Sequence, residues 1–190
     1  MHKLPDYLNE DEINKIIDAA QHNHKHWLLL KTLYETGVRA EELCNMKIEN
    51  IMPGTKDFPP QVHIVMGKGK KDRFVPISKD LYNLLMVYIG RRKKGYIFTN
   101  NKGGRLSTTS VRLIVYKYSK KAGIDRIRVH PHTFRHSRAV YLLKHGMPIN
   151  ELKEFLGHSM LETTAIYLKI LPKEMLERYK NIVDGGDNDG

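Results

Sequence analysis

His132-Thr133-Phe134-Arg135-His136 gathers three groups able to hydrogen-bond an anion within five residues. On a helix, a spacing of three puts His132 and Arg135 on one face. Imidazole titrates near neutrality, and a guanidinium offers phosphate oxygens a planar fork of donors. His132 and His136, four apart, also have the spacing of a zinc-binding helix. Yet the glutamate of a zinc-protease motif is absent, and Arg135 would set a cation beside the metal. Phosphate is therefore the better ligand, and no metal is expected. His22, His24 and His26 alternate, which suits ligation from neither face of a helix; they read as solvated or loop histidines.

Three further segments carry groups of the same kind. Thr36-Gly37-Val38-Arg39 leads into Ala40-Glu41-Glu42-Leu43. Arg39 thus opens a helix after a glycine turn, and Glu42 sits one turn on, placed to orient it. Alone, the pair also reads as an ordinary surface ion pair. Gly67-Lys68-Gly69-Lys70-Lys71-Asp72-Arg73 clusters cations between two apolar stretches. A mobile lysine near a phosphodiester can neutralise charge or protonate a leaving oxygen. The same turn can equally be a solvated tip that guards an edge strand. Last, Leu156-Gly157-His158-Ser159 precedes Thr163-Thr164-Ala165-Ile166-Tyr167. A phenol, with a pKa near ~10, attacks phosphorus only where cations favour the phenolate and the pentacoordinate charge. Tyr167 is one of ten tyrosines, so its case rests on its company.

The composition agrees with an anionic partner. The 190 residues include 32 Lys and Arg against 21 Asp and Glu, a net charge of +11. A surplus of this size points to nucleic acid before any other polyanion, although it also solubilises a surface. The hydrophobic fraction of 41% supports a folded core. Cys44 is the single cysteine, which excludes an internal disulfide and fits a reducing cytosol; it reads as a small core residue. No apolar run approaches a membrane span, and no signal-peptide pattern opens the chain.

The elements that must position these groups follow from periodicity and capping. Asn9 with Glu12 forms a capping box ahead of Ile13, Ile16, Ile17 and Ala20 on one helical face. Helices are expected over 24–35, ended by Gly37, and over 40–46. Residues 61–66 and 73–76 alternate as strands of a hairpin with the lysines at its tip, and 48–52 offers a third strand. Residues 53–60, with three prolines and a glycine, form a loop. Helical pattern returns over 78–90, 107–122 and 131–145, the last opened by Pro131, then over 149–156, 161–168 and 173–183. The tail 184–190 is polar, glycine-rich and expected to be disordered. The fold class is therefore mainly α with a small antiparallel β-sheet, as a single domain over 1–183.

Taken together, the four segments resemble those of the tyrosine recombinases, the family of phage integrases and bacterial chromosome-dimer resolvases. The resemblance runs from about Leu4 to Val183 and implies that family's catalytic-domain fold. By position, Arg39 resembles the first catalytic arginine in its T-G-x-R-x-x-E-L setting, and Lys68 the hairpin lysine. His132 and Arg135 match the H-x-x-R pair, His158 the histidine after Leu-Gly, and Tyr167, nine residues later, the nucleophile. Lys70, Lys71, Arg73 and His136 are expected to contact DNA, with Glu42 supporting Arg39. The implied activity is site-specific DNA strand exchange through a 3′-phosphotyrosyl intermediate, without metal, ATP or other cofactor. The implied partners are a double-stranded recombination site and further copies of the chain in a tetrameric synapse. Helix 173–183, with Met175, Leu176, Tyr179 and Ile182 on one stripe, can serve that assembly or fold back on its own domain. The implied place of action is the cytoplasm, on the nucleoid.

The chain departs from the pattern at its start. Family members carry an N-terminal helical domain that closes around DNA, and here the match begins near residue 1, so that domain is expected to be absent. A type IB topoisomerase shares the chemistry, but Leu-Gly-His-Ser and Thr-Thr ahead of Tyr167 favour the recombinases. A non-catalytic DNA-binding regulatory fragment is a further alternative, against which stands the filling of every catalytic position. A metal-dependent nuclease fits least, because no carboxylate cluster accompanies the histidines.

Overall fold

The computed structural model describes residues 6–65 and 72–157. Its elements run α1 (Glu10–Asp18), α2 (His24–Thr36), α3 (Ala40–Asn45), β1 (Ile51–Met52), β2 (Gln61–Ile64), β3 (Arg73–Pro76), α4 (Lys79–Ile89), α5 (Thr108–Lys121), α6 (Pro131–Lys144) and α7 (Ile149–Leu156), with a short 3-10 turn at Ile48–Asn50. The described chain is thus mainly helical with one small antiparallel sheet, as its periodicity requires. The expected helices 161–168 and 173–183, the hairpin tip and the tail 184–190 lie outside the described residues.

Helix α2 is the centre. Leu28, Leu29, Leu30 and Leu33 are fully buried, which leaves it apolar on almost every side, as a helix surrounded by others must be. It packs against α1, α4 and α6. Two buried hydroxyls fit this core because each bonds the carbonyl one turn back: Thr32 to Leu28 (2.7 Å) and Thr36 to Thr32 (2.6 Å). Gly37 then takes the left-handed conformation (φ 59°) that stops α2 and turns the chain into α3. The caps follow the sequence. Asn9 and Glu12 exchange reciprocal bonds of 2.9 Å, Ser78 and Ser107 cap α4 and α5, and Pro131 occupies the first position of α6.

The three strands pair in order β1-β2-β3, all antiparallel. Val62, Ile64 and Val75 point inward. On the opposite face, His63 pairs with Phe74 and their rings stack at 4.7 Å. The register sets Arg73 opposite Ile64, on the same inward face as Val75. Arg73 is therefore an inward residue of β3 rather than part of an exposed tip. Helix α7 packs on both β3 and α6. Its C-terminal end thus meets the start of α3, the inner face of β3 and the first turns of α6.

Candidate active site

At that junction four guanidinium and carboxylate side chains converge. Glu42, one turn into α3, is 8% exposed and accepts four hydrogen bonds. Its Oε1 takes Arg39 Nη1 (2.9 Å) and Arg73 Nη1 (3.0 Å), and its Oε2 takes the Arg39 backbone N–H (2.8 Å) and Arg73 Nη2 (2.9 Å). That fills the acceptor capacity of a carboxylate. Burial alone would push its carboxyl upward, but the hydrogen bonds and charge of Arg73, joined by Arg39, outweigh it and hold the group at about 2. Glu42 is thus a fixed anion that aligns two arginines, and it is too acidic to act as a base near neutral pH.

The three arginines share a second anchor. The C-terminal turn of a helix leaves carbonyls without intrahelical partners. At the end of α7, Arg73 Nε donates to Phe155 O (2.9 Å), Arg135 Nη2 to Leu156 O (2.7 Å) and Arg39 Nη2 to Gly157 O (3.3 Å). Three consecutive carbonyls thus receive three different guanidinium groups, cations set where the helix dipole is negative. Arg135 also donates Nη1 to Gly37 O (2.8 Å), which ties α6 to the turn before Arg39. Gly157, at φ +66°, makes the close approach possible, because a Cβ there would lie 2.8 Å from Arg73 Nη1.

Exposure separates these arginines by task. Arg73 and Arg135 are 8% and 3% exposed, while the Arg39 side chain is 33% exposed. The expectation that Arg73 touches DNA is corrected here: it is buried, forked onto Glu42, and positions the others. The signal was in the alternation of 73–76, which puts Arg73 on the side of Val75; the adjoining run of lysines and glycines obscured it. Arg39 and Glu42 pair as their spacing suggests, though the pair is part-buried and braced by Arg73 rather than a surface contact.

The histidines line the first turns of α6. His132 is exposed, 6.2 Å from the His130 ring and 6.5 Å from that of His136. Desolvation, then the charges of neighbouring His130, Arg135, Arg39 and Arg112, lower its pKa. His136 is half-buried, and desolvation with the nearby His132 and Arg135 brings it down to about 4. It is neutral near pH 7, so as a DNA contact it can act only as an uncharged hydrogen-bonding group. His26, which the sequence leaves as a solvated histidine, is half-buried and bonds Tyr118 Oη through Nδ1 (3.0 Å). No group of three or more His, Cys, Asp or Glu side chains among the described residues is placed to hold a metal ion. Lys68, Lys70, Lys71, His158 and Tyr167 lie outside the described residues. Gly157, bonded to Arg39, immediately precedes His158 in the chain.

Comparison with known proteins gives this junction a context. The Phage integrase family model matches residues 6–174. The chain is 37% identical over 188 residues to a tyrosine recombinase of Pseudothermotoga lettingae, covering 97% of this chain and 63% of that protein. It is 41% identical over 180 residues to tyrosine recombinase XerA of Pyrococcus horikoshii, covering 92% and 60%. It therefore spans about three fifths of the length of these curated relatives. Among solved structures, that of XerA recombinase superposes with a TM-score of 0.78 at 30% identity, over 95% of this chain and 66% of that one. The catalytic core of lambda integrase, at 22% identity, shares the fold with a TM-score of 0.65, over 81% of this chain and 92% of that one. From the matched sequence and the shared architecture alike, the chain belongs to the phage integrase family.

Proposed function

We propose that this chain is the catalytic part of a site-specific DNA recombinase that cuts and rejoins strands through a 3′-phosphotyrosyl intermediate. The observation that carries the reading is the convergence of Arg39, Arg73 and Arg135 on the end of α7, with Arg39 and Arg73 also fastened to Glu42. It pre-aligns cations from separate elements immediately before His158, the arrangement that phosphoryl transfer by a poor nucleophile requires.

In this reading, Arg39 and Arg135 bind the non-bridging oxygens of the scissile phosphate, with His132 and His158 completing the shell. The Tyr167 phenol gives its proton to solvent as its oxygen bonds to phosphorus, and the bond from phosphorus to the 5′-oxygen breaks. Lys68 supplies the proton that the departing 5′-oxygen takes up. The 5′-hydroxyl of a partner strand then attacks the phosphotyrosine and reverses the step. One ester replaces another throughout, so the cycle runs without ATP, and the arginines supply the charge stabilisation for which other enzymes use a metal. Glu42 and Arg73 position the site, and Lys70, Lys71 and His136 lie within the DNA-binding surface.

The partner is duplex DNA bearing a recombination site, met by a tetramer of the chain on the nucleoid, with the segment 173–183 of the single domain 1–183 serving assembly. XerH has been solved bound to its difH substrate, and a lambda integrase tetramer bound to a Holliday junction, which supports this choice of partners.

The test is a pool of nicked suicide duplexes with randomised arms, incubated with the protein in EDTA. A covalent protein–DNA adduct forms with the unmodified chain, is absent with Tyr167→Phe, and its sequenced DNA reveals the site. Adduct formation that persists in Tyr167→Phe, or none from any duplex, refutes the proposal.

A further inference from the structure

Two arginines near the site differ from those that build it. Arg39, Arg73 and Arg135 are bound to Glu42 or to carbonyls, and Arg105 and Arg126 to Glu41 and Glu12. Arg112 on α5 and Arg128 in the segment before α6 form no ion pair or side-chain hydrogen bond among the described residues. Both are exposed, and both line a cleft of about 450 Å³ with Ala40, His130, Pro131 and His132.

This cleft adjoins the arginine site along one wall. Ala40 directly follows Arg39, and His132 stands one turn ahead of Arg135. His132 feels the charges of Arg39, Arg135 and Arg112 together, and His130 those of Arg128 and Arg112, with Asp6 acting on it in the opposite sense. Two guanidinium groups held toward one concavity whose lining holds no carboxylate form a site for an anion. The anion is not the reacting phosphate, which falls to Arg39 and Arg135. On a DNA strand the next negative charge lies one nucleotide along.

We propose that Arg112 and Arg128 hold the phosphodiester next to the scissile one and so set the register of the strand. This rests on the recombinase reading of the site. Arg112 and Arg128 are positioning residues: they fix which phosphate reaches Arg39 and leave the bond changes to other groups.

The test has two arms, one independent of cleavage. In the first, affinity for a duplex is measured across salt concentration for the unmodified chain, Arg112→Gln, Arg128→Gln and the double variant. Each lost phosphate contact makes the slope of log affinity against log salt shallower by about 0.9. The double variant therefore loses about tenfold less affinity than the unmodified chain between about 50 and 200 mM salt. Lysine at both positions restores the slope, because it restores the charge. Thermal melting checks that the exposed substitutions leave the fold intact.

In the second arm, a neutral methylphosphonate replaces each phosphate in turn around the position that forms the adduct. Neutralising the neighbouring phosphate slows adduct formation by the unmodified chain about tenfold and has no further effect on the double variant. An unchanged salt slope, or a methylphosphonate penalty equal in both proteins, overturns the proposal. A changed slope in a protein that forms no adduct keeps the arginines as DNA contacts and removes the recombinase reading instead.

Discussion

Replacing Glu42 by glutamine removes the charge to which Arg39 and Arg73 are fastened while keeping nearly the same shape. A carboxyl at its ordinary value of 4.5 is held at about 2 in the folded chain. Each tenfold change in acidity corresponds to about 1.4 kcal/mol, so the folded state favours the ionised group by about 3 kcal/mol. The amide of Glu42→Gln also turns a donor toward at least one of the four donors that the carboxylate accepts. Arg73, 8% exposed, loses the carboxylate onto which it is forked, and breaking such a buried pair commonly costs about 3–5 kcal/mol. We expect a destabilisation of about 3 kcal/mol at pH 7, which for a chain of this size lowers Tm by about 6–12 °C. Urea unfolding followed by the single Trp27, which packs against the core, measures it. The folded carboxyl is the more acidic one, so its stabilisation is complete above pH 4.5 and is lost as pH falls toward about 2. The difference between the two proteins should shrink through that window. A cost below about 0.5 kcal/mol at pH 7, or one unchanged between pH 5 and 3, refutes the account of Glu42 as a fixed anion.

Three further outcomes follow from the same junction. Gly157→Ala places a side chain at φ +66° and 2.8 Å from Arg73 Nη1; it should cost about 2 kcal/mol in urea unfolding, and a cost below about 0.5 would mean Arg73 yields freely. Arg135→Lys replaces the planar fork that bonds the carbonyls of Gly37 and Leu156 with a single ammonium point, so unfolding stability should fall by about 1–3 kcal/mol and adduct formation should be lost even where the folded protein persists. His136, depressed to about 4, should titrate by NMR well below the ordinary histidine value of 6.5. Being neutral in the folded chain, it lowers stability as pH falls from 6.5 toward 4, the window in which only the unfolded chain takes up the proton; a His136 midpoint near 6.5 would contradict its burial.

Much of the scaffold was legible in the sequence because capping and periodicity are local. Asn9 with Glu12, Ser78, Ser107, Pro131 and Gly37 each mark a helix boundary that the structure keeps. The Arg39–Glu42 pair was legible for the same reason, since both lie within one turn. Arg73 was misplaced because two local signals competed. The Gly-Lys run drew it into the turn, whereas the strand alternation had already put it beside Val75. The acceptors at the end of α7 had no residue signature at all, because backbone carbonyls look alike in every sequence. Arg112 and Arg128 meet only when α5 and the segment before α6 come together, a relation that no spacing along the chain expresses.

The bonds that assemble the arginine cluster join distant parts of the chain. Arg39 and Gly157 are 118 residues apart, Gly37 and Arg135 98, and Arg73 and Phe155 82. Contacts of such range close long loops, and their entropic cost delays them to late stages of folding. A nascent chain that has formed its individual helices already carries most of the positive charge, and with it a grip on polyanions. It does not yet carry the aligned guanidinium groups. If the proposed function holds, heat, mutation or incomplete synthesis should therefore extinguish strand cleavage before DNA binding, leaving a damaged copy that occupies DNA without breaking it.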